Sequence, residues 1–221
     1  LMESPAAVVA VDLPLKDIAL KKKPSVRERL SVNASHLQVT GTPKIAGSLY
    51  FVRADALRSF WMPLGLLVED GFVKAMLLTD SFRHPERAEG IVRAPEATHY
   101  FKAVTGLKDW FSHERRLLNG TALNILLFSY IQKLDRDGED PNWVIQENNK
   151  RDPFWVVGLA KAHRATLPGG FEFMGEPLRR LTRLPTQRKF AFLPSALLRT
   201  GLNIAVFLAC QSDFKLGRLD W

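Results

Sequence analysis

The chain has 221 residues, 46% of them hydrophobic, 24% charged and 10% aromatic. A chain of this size buries roughly 70% of its unfolded surface, which excludes a collagen, a disordered tail and a disulfide-built miniprotein. The formal charge is +8, with 9 basic and 5 acidic side chains over residues 1–60, 12 and 14 over 61–160, 8 and 2 over 161–200, and 2 and 2 over the last 21, so basic flanks enclose an acidic middle.

Residues 1–43 read as an extended basic arm, because Pro5, Pro14, Pro24 and Pro43 punctuate it and Lys21, Lys22 and Lys23 form a solvated run. The apolar stretch at 6–11 lacks a basic region before it and is interrupted by Asp12, which argues against a secretory signal. A start at Leu1 is compatible with removal of an organellar presequence. One cysteine cannot close an internal disulfide, so an intracellular, reducing compartment is expected. No membrane span is expected, since the charge-free windows at 117–132 and 200–212 fall short of about 18 apolar residues.

From residue 44 to the end a single globular α+β domain is expected. Ile45 to Val52 has strand composition, and a short helix follows around 54–61. Leu66-Leu67-Val68 and the apolar run 72–78 flank Glu69-Asp70-Gly71, which predicts an antiparallel hairpin at about 66–78 turning on Gly71. Pro95 opens a predicted helix carrying Tyr100, Phe101, Val104, Leu107 and Phe111, and Asn119-Gly120 ends it. Thr121 then caps a helix whose stripe is Leu123, Leu126, Leu127, Tyr130, Ile131 and Leu134. Asp152-Pro153 opens a short apolar helix over 154–164. Phe171-Glu172-Phe173 and 189–192 alternate like edge strands around a basic helix at 178–184. The last helix starts at Pro194, with Leu198, Leu202, Ala205 and Ala209 on its inner face. The fold class is therefore α+β: an N-terminal arm, a small antiparallel sheet and a larger, mainly helical C-terminal part.

Most site signatures fail on a required residue. His113-Glu114-Arg115-Arg116-Leu117 starts like a zincin motif but has Leu117 where the second ligand belongs, and His84-Pro85-Glu86 lacks the thiolate pair of a zinc deaminase. Aligning Gly138 as the sixth position of a calcium loop puts Lys133 first and Val144 twelfth, so Asp135 to Gly138 is a turn. Cys210 lies in an apolar run as a core thiol, and Asp213-Phe214-Lys215 matches a nuclease pattern at chance level. The histidines His36, His84, His99, His113 and His163 are dispersed. No catalytic residue, metal site or cofactor is assigned.

One constellation stands out: Arg179, Arg180, Arg183, Arg188 and Lys189, with Lys161 and Arg164 upstream. On a helix, Arg179, Arg180 and Arg183 fall within one turn and present guanidinium forks suited to phosphates. With Lys21, Lys22 and Lys23 they form the expected nucleic-acid contact set. The interleaved Phe171, Phe173, Phe190 and Phe192 are expected in the core. The function expected is a non-catalytic basic subunit of a larger assembly, a ribonucleoprotein, with RNA and other protein subunits as partners. Two alternatives stand beside it: an enzyme on an anionic substrate with a histidine or carboxylate base, and a protein-only structural subunit that makes large apolar contacts.

Overall fold

The computed structural model describes residues 4–23, 25, 28, 43–45, 49–104, 106–162, 167, 170–182 and 184–219, the side chains at 95, 187, 188 and 191 excepted. The chain is α+β with a larger helical C-terminal part, and it divides into two compact units. Unit 1 holds residues 1–62 and 69–110, and unit 2 holds 63–68 and 111–221. The division does not follow the boundary expected near residue 43.

Unit 1 is built on three strands: β1 (Val9–Lys16), β2 (Tyr50–Val52) and β3 (Ile91–Phe101), in the order β2-β1-β3. The sheet is mixed, since β1 runs antiparallel to β2 and parallel to β3. The stretch read as the start of an arm therefore supplies the central strand, with Val9 and Val11 buried. Prolines there misled the reading, but Pro14 sits at a position paired with His99 across the ladder. The β1–β3 register jumps from Val11↔Arg93 to Leu13↔Thr98. Four residues of β3 thus face one of β1, which accommodates Pro95 where a ladder donor is missing. Of the helix expected from Pro95 to Asn119, residues 95–101 belong to this strand and the part from Leu107 onward is helical.

Two helices accompany the sheet, α1 (Ala54–Arg58) and α2 (Glu69–Thr79). The hairpin expected at 66–78 does not form. Phe72, Val73, Met76 and Leu77 recur at helical spacing and are all buried, while Glu69 and Asp70 favour the helix N-terminus. Asp-Gly opens a helix here rather than turning a strand, and Phe72 meets Phe60 edge-on at 6.1 Å.

Unit 2 is helical. After its first turn in unit 1, α3 (Leu107–Arg136) runs through Asn119-Gly120 without a break. Gly120 is flush with a neighbour: a Cβ there would lie 2.3 Å from Val68 Cγ2. Leu118, Leu123, Leu127, Ile131 and Leu134 form the buried stripe. The segment 63–68 is pinned along the unit by Asn124 Nδ2 donating to the Val68 carbonyl (2.8 Å), and by Asn149 Oδ1 accepting from the Leu64 amide (3.0 Å). Next come α4 (Pro141–Arg151), capped by Asp140 accepting from the Asn142 amide, and α5 (Trp155–Ala162). Asp152 accepts from the Phe154 amide just before α5, as its Asp-Pro opening suggested.

The last two helices are α6 (Gly170–Thr182) and α7 (Thr186–Leu216). They replace the expected edge strands at 171–173 and 189–192, and α7 starts eight residues before Pro194, which lies inside it. Phenylalanines two apart fit a strand, but here 171 and 173 belong to a strongly amphipathic helix. Phe171 and Phe207 rings lie 6.2 Å apart, and Asn203 Nδ2 donates to the Phe173 carbonyl. α7 ends on Gly217 at φ 65, where only glycine is unstrained, and the Arg218 amide returns to the Asp213 carbonyl.

Candidate docking surface and basic segment

In unit 1, His99 on β3 bonds through Nδ1 to Asp12 of β1. Asp12 is nearly fully buried at the register jump, and its Oδ1 has no partner. The pair ties the two strands together at the irregularity. His84 lies 3.9 Å from Asp80 with both side chains well exposed. A shallow surface cavity of about 460 Å³ is lined by Trp143, Glu147, Asn148, Lys150 and Arg151, away in sequence from any histidine of the enzyme alternative. Among the described residues no three His, Cys, Asp or Glu side chains group as metal ligands.

Unit 2 contains an ionic node in which a buried Asp213 meets a partly exposed Arg115. Arg115 on α3 makes a forked contact with Asp213 on α7: Nε donates to Oδ2 at 2.6 Å and Nη2 to Oδ1. Asn119 Nδ2 donates to Oδ2 at 3.0 Å. The hydrogen bonds to Asp213 raise the Arg115 pKa further above its ordinary value. Cys210, one turn earlier, is fully buried, and burial pushes its thiol up to about 12. A thiol so protonated is core, as the sequence suggested, and not a nucleophile.

The expected nucleic-acid contact residues fall into three groups. Arg164 and Arg183 lie outside the described residues, and the Arg188 backbone belongs to α7. Arg179 and Arg180, on the last turn of α6, face solvent but share the carboxylate of Glu176, at 3.5 Å and 2.7 Å. Arg179 also donates to the Glu172 carbonyl. Two guanidinium groups against one carboxylate leave a net positive charge there. Lys189 is half-buried on the first turn of α7. In unit 1, Lys21 pairs with Glu28, which raises the lysine pKa and holds the carboxyl at about 2, whereas Lys22 and Lys23 are exposed.

The feature that sequence reasoning missed is the outer face of α7. Its inner face packs into unit 2 through Ala196, Asn203, Val206, Phe207, Cys210 and Phe214. At 100° per residue the opposite face carries Phe190, Leu193, Leu197, Leu198, Ile204 and Leu208, with Gly201 and Ala205 between them. All six large side chains are exposed, Phe190 at 76% and Leu198 at 68%. A Cβ added to Gly201 would meet nothing within 4 Å. This stripe is about 27 Å long at 1.5 Å per residue and carries from 190 to 208 only one polar side chain, Thr200 at its edge, whose hydroxyl donates to the Ala196 carbonyl of its own helix. Phe171 on α6 and Phe192 on α7 are exposed beside it. The inner face expected at Leu198, Leu202, Ala205 and Ala209 is thus corrected: Leu198 and Ala205 point outward. Because the helix is apolar all round, hydrophobic spacing could not choose a face. The available signal was polar, since Asn203, Cys210 and Asp213 share one side.

One helix among the described residues, over Phe192–Leu216, is long and apolar enough to cross a membrane by length and composition, and 17% of that window is buried. The charge-free window ended at Thr200 only because Arg199 precedes it. No protein-family model, curated protein or solved structure matches the chain.

Proposed function

We propose that the chain is a non-catalytic docking subunit, held to a larger assembly through the outer face of α7. The observation that carries this reading is the stripe of six exposed large apolar side chains from Phe190 to Leu208. Isolated exposed apolar residues are ordinary on a soluble surface, but a continuous row of them marks a surface that is covered when the protein works. The rest of unit 2 supports a scaffold: the partly exposed Arg115 on the buried Asp213 carboxylate, and the buried Cys210 thiol, fix α7 against α3 and leave the outer face displayed. The test is sedimentation of a native extract. The wild-type chain should travel with a larger particle, and Leu197→Asp with Leu198→Asp should leave it at the monomer position; wild-type sedimentation as a monomer contradicts the reading.

A second reading keeps nucleic-acid phosphates as partner of the basic segment. It is favoured by the outward guanidinium groups of Arg179 and Arg180 and by exposed Lys22 and Lys23. RNA binding that weakens steeply with salt and is lost in Arg179→Glu with Arg180→Glu supports it; affinity indifferent to both removes it.

A further inference from the structure

We infer that the occupant of this face is the surface of a bilayer containing anionic lipid, in which α7 lies in the plane without crossing. The inference rests on the docking reading and names what covers the same stripe. Three observations favour lipid over protein. The first is the chemistry of the stripe. Protein interfaces carry about one hydrogen bond per 100–200 Å², whereas over about 27 Å this face offers hydrocarbon and, at its edge, a single hydroxyl on Thr200 already bonded to the Ala196 carbonyl, which is what an acyl-chain boundary accepts.

The second is charge placement. α6 and α7 form a hairpin in which Arg179 and Arg180 end the first helix, and Lys189 and Phe190 begin the second. Basic side chains therefore sit at the same end as the exposed Phe190 and Phe192. Over 170–216 the only acidic residues are Glu172, Glu176 and Asp213, and Asp213 is buried on Arg115. Long basic side chains beside an apolar face reach headgroup phosphates while their stems stay in the boundary.

The third observation sets the orientation. A crossing helix would have to surrender the Arg115–Asp213 contact and the Asn203 bond to the Phe173 carbonyl, both of which fasten its inner face to the unit. Only the outer stripe is free to enter lipid, and an in-plane helix sinks its apolar face by about 5–10 Å.

Vesicle flotation with the full-length chain tests this. Phosphatidylcholine vesicles and phosphatidylcholine–phosphatidylglycerol vesicles are compared, and circular dichroism confirms that each variant is folded. The wild type should float with the anionic vesicles far more than with the zwitterionic ones. Arg179→Gln with Arg180→Gln should lower that partitioning roughly tenfold, and Leu197→Asp with Leu198→Asp should abolish it. Flotation with neither vesicle type overturns the inference, and so does anionic flotation that survives the double aspartate variant. If the wild type fails to float yet the same variant is released from a native particle, lipid is wrong, a protein covers the stripe, and the docking reading stands. If it neither floats nor travels with a particle, both fall.

Discussion

Both faces of α7 are apolar, but they differ in what they touch. The inner face is buried through Ala196, Val206, Phe207, Cys210 and Phe214 and adds directional bonds, Asn203 to the Phe173 carbonyl and Asp213 to Arg115 and Asn119, whereas the outer face holds exposed leucine, isoleucine and phenylalanine. A helix on the surface of a free-standing domain turns polar residues outward instead. The difference teaches that the inner contacts specify where the helix sits, through directional bonds that hydrophobic packing alone does not provide, while the outer face is reserved for something beyond the chain.

The comparison is broken most sharply by placing the same charge on each side. Val206→Asp buries a carboxylate among apolar side chains and is expected to cost more than about 4 kcal/mol, leaving the chain unfolded; Leu198→Asp should change stability by less than about 0.5 kcal/mol. Urea denaturation of both variants checks this, and similar losses would erase the distinction between the faces. Arg115→Ala follows, because it strands Asp213 in the interior. Arg115 is itself partly exposed, so the loss should fall near the low end for a broken buried pair, about 3 kcal/mol by the same measurement.

Glycine substitutions sharpen the contrast. Gly120→Ala forces a methyl onto Val68 and should cost about 1–3 kcal/mol. Gly201→Ala, on the open stripe, should gain up to about 1 kcal/mol from helix propensity. A loss in the second variant would mean that the stripe is already packed.

A further contrast is a pH dependence. Burial raises the Cys210 thiol from its ordinary value near 9.0 to about 12. The protonated thiol's contribution is therefore whole below about pH 9 and drains away as pH climbs toward 12, because the unfolded chain ionises first. The difference in urea midpoint between wild type and Cys210→Ala should narrow over that range, and a constant difference would contradict a buried thiol.

How much of this was legible depended on the range of the interactions. The stripe of α3, the core position of Cys210 and the opening of α5 follow from local spacing and were readable. β1 was not, because it is a strand only through partners distant in sequence, β2 beginning 34 residues and β3 75 residues beyond its end. α2 was hidden by Asp70-Gly71, which serves either a turn or the first turn of a helix. The basic helix expected at 178–184 is the end of α6, which reaches Thr182, and the carboxylate that Arg179 and Arg180 share follows from their three- and four-residue spacing to Glu176. The docking stripe left no periodic trace, because apolar residues on every side of a helix say that it is covered and not by what.

The most direct measurement of the central claim is photocrosslinking from a benzophenone placed at Leu198 on the outer stripe, compared with one at Lys150 on the exposed side of α4. In its native setting the chain should form abundant adducts from position 198 and few from position 150, with lipid-sized mass increments on the former. Equal yields from the two positions, or none from 198, would contradict the claim that this face is covered.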